Sequence, residues 1–188
     1  MNPFHNRPDE WELYEPLQGS RMLELGGKIN APYRYKDYFE HLGFEHISVD
    51  WNGEHGALVR DLRKPLWDEL GQFDVVSNMG TTEHVDGQAE VWENIHNMTK
   101  PGGVYVGQTP YPDGLSWWWH GNWYPTEQFF LDFAERNGWH IERLYKGRER
   151  PFENLYCRMT RLDWPFKGIN AQLIKHNQRR PRTWTPSS

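Results

Sequence analysis

The chain has 188 residues, 37% hydrophobic and 25% charged, with a net charge of −5. That length suits a single domain with a real core, and the balance excludes a disordered chain and a globally basic surface for gripping a phosphate backbone. No stretch approaches the ~20 apolar residues of a membrane helix, the start lacks an apolar run behind basic residues and so predicts no secretory signal, and a lone cysteine, Cys157, excludes an internal disulfide or a thiolate zinc site and fits a reducing cytoplasm.

The lead through Gly19 contains Pro8, Pro16 and a short predicted helix at Asp9 to Tyr14, placed to cover one edge of the core or of a site. Arg21 to Leu25 is an apolar run ending at Gly26-Gly27, the mark of a buried strand. Tyr35, Tyr38, Phe39 and Leu42 fall on one face of a predicted helix stopped by Gly43. Phe44 to Val49 is a second strand ending at Asp50, and Ala57 to Val59 a third ahead of Asp61-Leu62. Phe73 to Ser77 is a fourth. Val91, Ile95 and Met98 share a helix face, and Lys100-Pro101-Gly102-Gly103 stops that helix and turns into a fifth strand at Val104 to Val106. A long loop from Gln108 to Pro125 follows. Thr126 caps a helix whose buried stripe is Phe130, Phe133 and Ala134 and which ends at Gly138. His140 to Tyr145 and Asn154 to Thr160 close the series as two strands without an intervening helix, hence an antiparallel hairpin. Strands alternating with helices predict a mostly parallel sheet covered on both faces, and such sheets bind ligands beyond the carboxyl ends of their strands.

The residues after each strand are therefore the candidates. Glu24, Gly26, Gly27 and Lys28 form a turn through which backbone amides can approach a ligand closely, unless the glycines serve only the turn. Asp50 is placed to accept from both hydroxyls of a ribose, and Trp51 to lay its ring on an adenine; alternatively Asp50 starts a turn and Trp51 enters the core. Asp61 and Leu62 are placed to hold an adenine edge and face, or Asp61 simply caps the chain. After the fourth strand, Asn78-Met79-Gly80-Thr81-Thr82-Glu83-His84-Val85 puts a carboxylate and an imidazole together for orienting an acceptor or taking its proton, while Thr81 or Thr82 equally caps a following helix. No His/Asp/Glu group has the spacing of metal ligands, so no metal is expected.

Taken in order, these segments resemble the class I S-adenosylmethionine-dependent methyltransferase family. The resemblance spans about Arg21 to Thr160. It rests on Leu23-Glu24-Leu25-Gly26-Gly27, Val49-Asp50, Asp61-Leu62, Phe73-Asp74-Val75-Val76-Ser77-Asn78 with Glu83-His84-Val85, and Lys100-Pro101-Gly102-Gly103. It implies an α/β fold: a seven-stranded, mostly parallel, Rossmann-like sheet with helices on both faces and a C-terminal antiparallel hairpin. The single domain would span 1–188, with a lead at 1–19, a core at 20–162 and a tail at 163–188. The implied cofactor is S-adenosylmethionine, with Glu24, Gly26, Gly27 and Lys28 against its methionine moiety, Asp50 on ribose, Trp51, Asp61 and Leu62 around adenine, and Asn78 and Met79 beneath the reacting centre. Lys28 and Asn30 stand where the family's first motif has its second and third alternating glycines. Lys28 therefore points outward, pairs with the cofactor carboxylate, or narrows the pocket.

Eleven tryptophans are many for this length, and their crowding in the 109–125 loop matters most. Trp117, Trp118, Trp119, Trp123, Asn122 and Tyr124 are candidates for binding a flat acceptor, with His120 beside Glu83 and His84 as candidate catalytic groups. The other reading folds the loop onto the core or into a homodimer contact. The expected reaction is methyl transfer to an oxygen or nitrogen of a small molecule, sugar or nucleotide, without a membrane partner. The alternatives are a non-catalytic cofactor- or partner-binding module and an enzyme that cleaves S-adenosylmethionine without an acceptor. Asn78-Met79-Gly80-Thr81 departs from the Asp/Asn-Pro-Pro-Tyr of adenine-amino methylases, and no cysteine stands where cytosine-C5 enzymes need one. The basic run from Lys175 to Arg182 reads as a solvated tail in preference to a nucleic-acid contact.

Overall fold

Leu23 and Leu25 face one side of the sheet and Met22 the other, all buried, as a central parallel strand requires. In the computed structural model, which describes residues 12–14, 17–27, 35–111, 120–149 and 152–176, this strand, β1 (Arg21–Leu25), is followed by α1 (Tyr35–His41), β2 (Glu45–Asp50), β3 (Leu58–Val59), α2 (Trp67–Leu70) and β4 (Phe73–Met79). Then come α3 (Gln88–Met98), β5 (Thr99–Pro110), β6 (Trp123–Pro125), α4 (Glu127–Asn137), β7 (Trp139–Glu149), β8 (Phe152–Arg161) and β9 (Ile174–His176).

Seven strands form one sheet in the order β3-β2-β1-β4-β5-β8-β7. β1 is parallel to β2 and to β4, β4 is parallel to β5, and β8 runs antiparallel to both β5 and β7. The expected terminal hairpin is thus present, with β8 turned inward and β7 at the edge. The chain leaves β1 toward β2 and β3 on one side, then crosses back to β4 on the other. That reversal opens a crevice at the carboxyl ends of β1 and β4.

The larger core lies between this sheet and α3 and α4. Trp92 on α3 meets Phe129, Phe130 and Phe133 on α4 with ring centroids 5.0, 5.6 and 4.9 Å away, the tilted and edge-on packing that aromatic quadrupoles favour. Thr126 Oγ1 accepts from Phe129 N at 3.2 Å and Gly138 ends the helix in a left-handed conformation, as the sequence predicts. A second core on the opposite face joins Leu13, Tyr14, Phe39 and Phe44 to Met22, Val75, Val106 and Tyr156. Leu13 and Tyr14 of the lead therefore pack on the sheet, with Arg158 Nη1 donating to Leu13 O at 3.0 Å.

Several boundaries differ from the sequence reading. Leu42 lies beyond α1 and is exposed. The 100–103 turn is absorbed into β5 as an irregularity against β4, pinned by Lys100 Nζ donating to Asp74 Oδ1 at 2.7 Å. α2 is a single turn that the apolar spacing does not announce. Glu83 and His84 occupy a 3-10 turn (Thr82–His84) ahead of α3, whose N-cap is Gly87; neither Thr81 nor Thr82 caps that helix. The segment after β8 does not leave the core: Ile174 is buried in it, and β9 pairs antiparallel with β6.

Candidate active site

The carboxyl ends of β1, β2 and β4 and the segment after β3 open into one cavity of about 850 Å³, within the ~300–1,000 Å³ usual for small-molecule sites. Its floor is a close approach of two turns. Gly26 has φ +85°, and a Cβ there would stand 2.1 Å from Thr81 Oγ1, so only glycine fits. Gly26 N donates to Val49 O at 2.7 Å. Asp50, at the end of β2, accepts from Gly27 N through Oδ2 at 3.0 Å and from Asn52 N through Oδ1 at 3.3 Å. The β1 turn is thereby tied to the β2 turn by a carboxylate that also lines the cavity.

Trp51 lines the same wall and is 81% exposed. A ring that large gains by burial, so its position at a cavity mouth suits a flat partner better than the core. Asp61 and Leu62 complete this side. Asp61 accepts from Arg63 Nε and Nη2 at 2.9 Å and from Arg63 N at 3.0 Å. The Arg63 side chain first, and its backbone amide second, hold the Asp61 carboxyl down at about 2.

The opposite side of the cavity carries Met79, Gly80, Glu83, His84, Gln108, His120 and Asn154. Asn78 organises the turn beneath it. Its Nδ2 donates to Thr82 Oγ1 at 2.9 Å and to Tyr105 OH at 3.3 Å, and its Oδ1 accepts from Thr81 N and Thr82 N at 3.3 and 3.1 Å. Glu83 is almost wholly buried, and its Oε1 faces His84 Nε2 at 3.8 Å and His120 Nε2 at 3.7 Å. The two imidazole rings stand edge to face with centroids 4.7 Å apart. Burial pushes His84 below its ordinary value. Burial, and then the neighbouring His84, push His120 down to about 4.

His120 reaches this place because its segment is latched onto the Glu83 turn. Asn122 N donates to Glu83 O at 2.7 Å, and Asn122 Nδ2 to His84 O at 3.3 Å. Gly121 N donates to Tyr124 OH at 2.9 Å. A Cβ on Gly121 would come within 2.9 Å of Glu83 O and Cγ, so the latch closes only on glycine.

The chain matches no protein-family model and no curated protein sequence. Solved structures do resemble it. The N-methyltransferase NodS of Bradyrhizobium japonicum WM9 superposes with a TM-score of 0.63 at 15% identity, over 86% of this chain and 98% of its own. An S-adenosylmethionine-dependent methyltransferase of Mesorhizobium loti gives 0.60 at 14% identity, over 82% and 96%. The 1,6-didemethyltoxoflavin-N1-methyltransferase of Burkholderia thailandensis, solved with 1,6-didemethyltoxoflavin and S-adenosylhomocysteine, gives 0.61 at 17% identity, over 84% and 78%. The fold is that of the S-adenosylmethionine-dependent methyltransferases.

On this methyltransferase fold the residues singled out in the sequence fall into three groups. Gly26, Gly27, Asp50, Trp51, Asp61, Leu62, Met79, Glu83, His84 and His120 share the cavity wall. Glu24, Asn78, Asn122, Trp123 and Tyr124 stand outside it. Glu24 lies buried with its carboxylate 3.3 Å from His46 Nε2, an electrostatic contact without hydrogen-bond geometry. Asn78 and Asn122 spend their amides on the turns just described. Trp123 and Tyr124 belong to β6, where Tyr124 is buried and Trp123 meets His176 edge to face at 4.8 Å. Lys28 and Trp117, Trp118 and Trp119 lie outside the described residues.

The sequence reading missed two polar groups. Gln108 on β5 and Asn154 on β8 are buried in the cavity wall, and Gln108 Oε1 and Asn154 Nδ2 have no hydrogen-bond partner among the described residues. Asn154 pairs opposite Pro110, two residues along β5 from Gln108, so the two side chains project from the same face. A strand-end rule reaches Gln108 once β5 is known to run to Pro110. Asn154 comes from the start of the antiparallel strand, which no such rule inspects.

Proposed function

We propose that the chain is an enzyme that binds S-adenosylmethionine and transfers its methyl group to an oxygen or nitrogen of a small-molecule, sugar or nucleotide acceptor. The observation that carries this reading is the convergence of Gly26-Gly27, Asp50-Trp51, Asp61-Leu62 and Met79 on one cavity. The Gly27 amide at the β1 turn, once Asp50 releases it, suits the methionine carboxylate. Asp50 suits the ribose hydroxyls, exchanging its present contact with Gly27 N for them. The exposed Trp51 ring suits the adenine face.

The acceptor then occupies the other end. Gln108 Oε1 offers an acceptor and Asn154 Nδ2 a donor there, and a buried polar atom without a partner gains most from a ligand that supplies one. Glu83, His84 and His120 stand beside that space, placed to orient the acceptor. The sulfonium methyl is already activated, so the remaining task is alignment and exclusion of water. The solved methyltransferase that holds 1,6-didemethyltoxoflavin beside S-adenosylhomocysteine gives a precedent on this fold for a small acceptor, and this supports the reading without naming the acceptor. Among the described residues no helix is long and apolar enough to cross a membrane.

Calorimetry with S-adenosylmethionine and S-adenosylhomocysteine tests the cofactor half, and a screen of acceptors by release of S-adenosylhomocysteine tests the transfer half. Asp50→Ala is expected to weaken binding of either compound by about ten- to a hundredfold, the loss of ~1.5–3 kcal/mol in hydrogen bonds to a charged group. A chain that binds neither compound ends the proposal. Release of methylthioadenosine or adenine from cofactor alone replaces transfer by cleavage.

A further inference from the structure

The cluster of Glu83, His84 and His120 has a geometry that proton handling alone does not explain. One carboxylate and two imidazoles bring one ligand-capable atom each to within 4.8 Å of one another. The Glu83 Oε1 contacts at 3.7 and 3.8 Å are too long for hydrogen bonds between these groups. These two separations are close to those of atoms that share a central cation: bonds of about 2.0–2.2 Å in tetrahedral array put ligand atoms about 3.3–3.6 Å apart. Closing the remaining gap takes small rotations of the two histidine side chains, which are partly exposed (45% and 29%), while the buried carboxylate stays fixed. The latch from Asn122 to Glu83 and His84 holds His120 in place from outside the cluster, and such support is what keeps a ligand set together.

We propose that Glu83, His84 and His120 form a three-ligand site for a first-row divalent cation at the acceptor end of the cavity, with its open positions facing the acceptor. Two imidazoles and one carboxylate on adjoining elements are a donor set for Zn²⁺ and its neighbours in the first row rather than for Mg²⁺ or Ca²⁺, which take oxygen ligands. Three protein ligands leave coordination positions open, as catalytic sites do and closed structural sites do not.

The site, taken together with the methyl transfer proposed above, selects an acceptor with a metal-binding oxygen, such as a hydroxyl beside a second oxygen. The bound hydroxyl gives its proton to water at the cavity mouth. Its oxygen forms the bond to the methyl carbon as the carbon–sulfur bond breaks, and the electron pair leaves on the neutral thioether.

The test uses the full chain after removal of metal by a chelator, titrated with Zn²⁺ by calorimetry and with Co²⁺ by its visible absorption, without cofactor or acceptor. The expected result is one equivalent bound, with a Co²⁺ spectrum of low-symmetry nitrogen and oxygen ligation. His84→Ala and His120→Ala, whose side chains are partly exposed, should retain the wild-type melting temperature. Each should weaken the metal by at least about a hundredfold, more than loss of a supporting residue costs. Absence of stoichiometric binding, or binding that both variants leave unchanged, overturns the site. Because this titration needs no cofactor, metal binding without S-adenosylhomocysteine binding defeats the methyl-transfer reading alone, and the reverse result defeats the metal site alone.

Discussion

Protonation of His96 should set the acid stability of this fold. His96 has no solvent exposure. Its Nδ1 accepts from Trp139 Nε1 at 3.0 Å, which leaves Nε2–H to donate to Trp164 O at 3.0 Å. Both ring nitrogens are satisfied only in the neutral tautomer; a proton on Nδ1 would face the indole N–H. Burial first, and the Arg161 charge second, push His96 from the ordinary 6.5 down to about 4. A group held neutral in the folded state contributes stability that is full above 6.5 and is lost as pH falls from there toward 4, where the unfolded chain takes up a proton that the folded chain refuses. Between about pH 7.5 and pH 5 that amounts to about 2 kcal/mol, rising to about 3 kcal/mol below pH 4. For a chain of this size the first figure corresponds to about 4–8 °C in melting temperature. Urea unfolding of wild type and His96→Gln at both pH values isolates the effect, because every other titrating group is common to the two. The wild type should lose about 2 kcal/mol more than the variant on acidification. An identical loss in both proteins, or an imidazole that titrates near 6.5 by NMR, refutes the argument.

Three further outcomes follow from the geometry. Gly26→Ala forces a Cβ against Thr81 Oγ1 at a φ of +85°; it should cost about 1–3 kcal/mol in denaturant unfolding and abolish S-adenosylhomocysteine binding by calorimetry. Trp51→Ala removes an exposed ring, so its melting curve should match wild type while cofactor affinity falls by about tenfold or more, the loss of ~1–3 kcal/mol of base stacking. Thr126→Ala removes the oxygen that accepts from Phe129 N and should cost about 1 kcal/mol of stability with cofactor affinity unchanged.

Much of the fold is written in local periodicity. β1, β2, β4 and the start of α4 are legible because a buried strand needs an unbroken apolar run and a helix needs a stripe and a cap; Thr126 and Gly138 supply both ends of α4. α2 escapes notice because one turn is too short to show a period. β6 and β9 escape because each is three residues long and is a strand only by virtue of the other. The 3-10 turn at Thr82–His84 reads as a helix start because threonine followed by glutamate is the local signal for a cap, but the Thr82 oxygen is engaged by Asn78 Nδ2 and the helix starts later, at Gly87.

The site divides along the same line. Gly26, Asp50, Asp61 and Met79 lie at or just past the ends of their strands, and once those strands run parallel their ends converge, so this side of the cavity is legible in the sequence. The side that carries Glu83, His84, His120, Gln108 and Asn154 has no such rule. Glu83 and His84 meet His120 only because Asn122 ties the two segments together and β9 returns to hold β6. Gln108 and Asn154 meet only through the register of an antiparallel pair. Contacts between distant segments are fixed by hydrogen bonds and register that leave no trace in neighbouring residues, and for that reason the carboxylate–imidazole cluster has no ligand spacing in the chain and acquires it only in the folded protein.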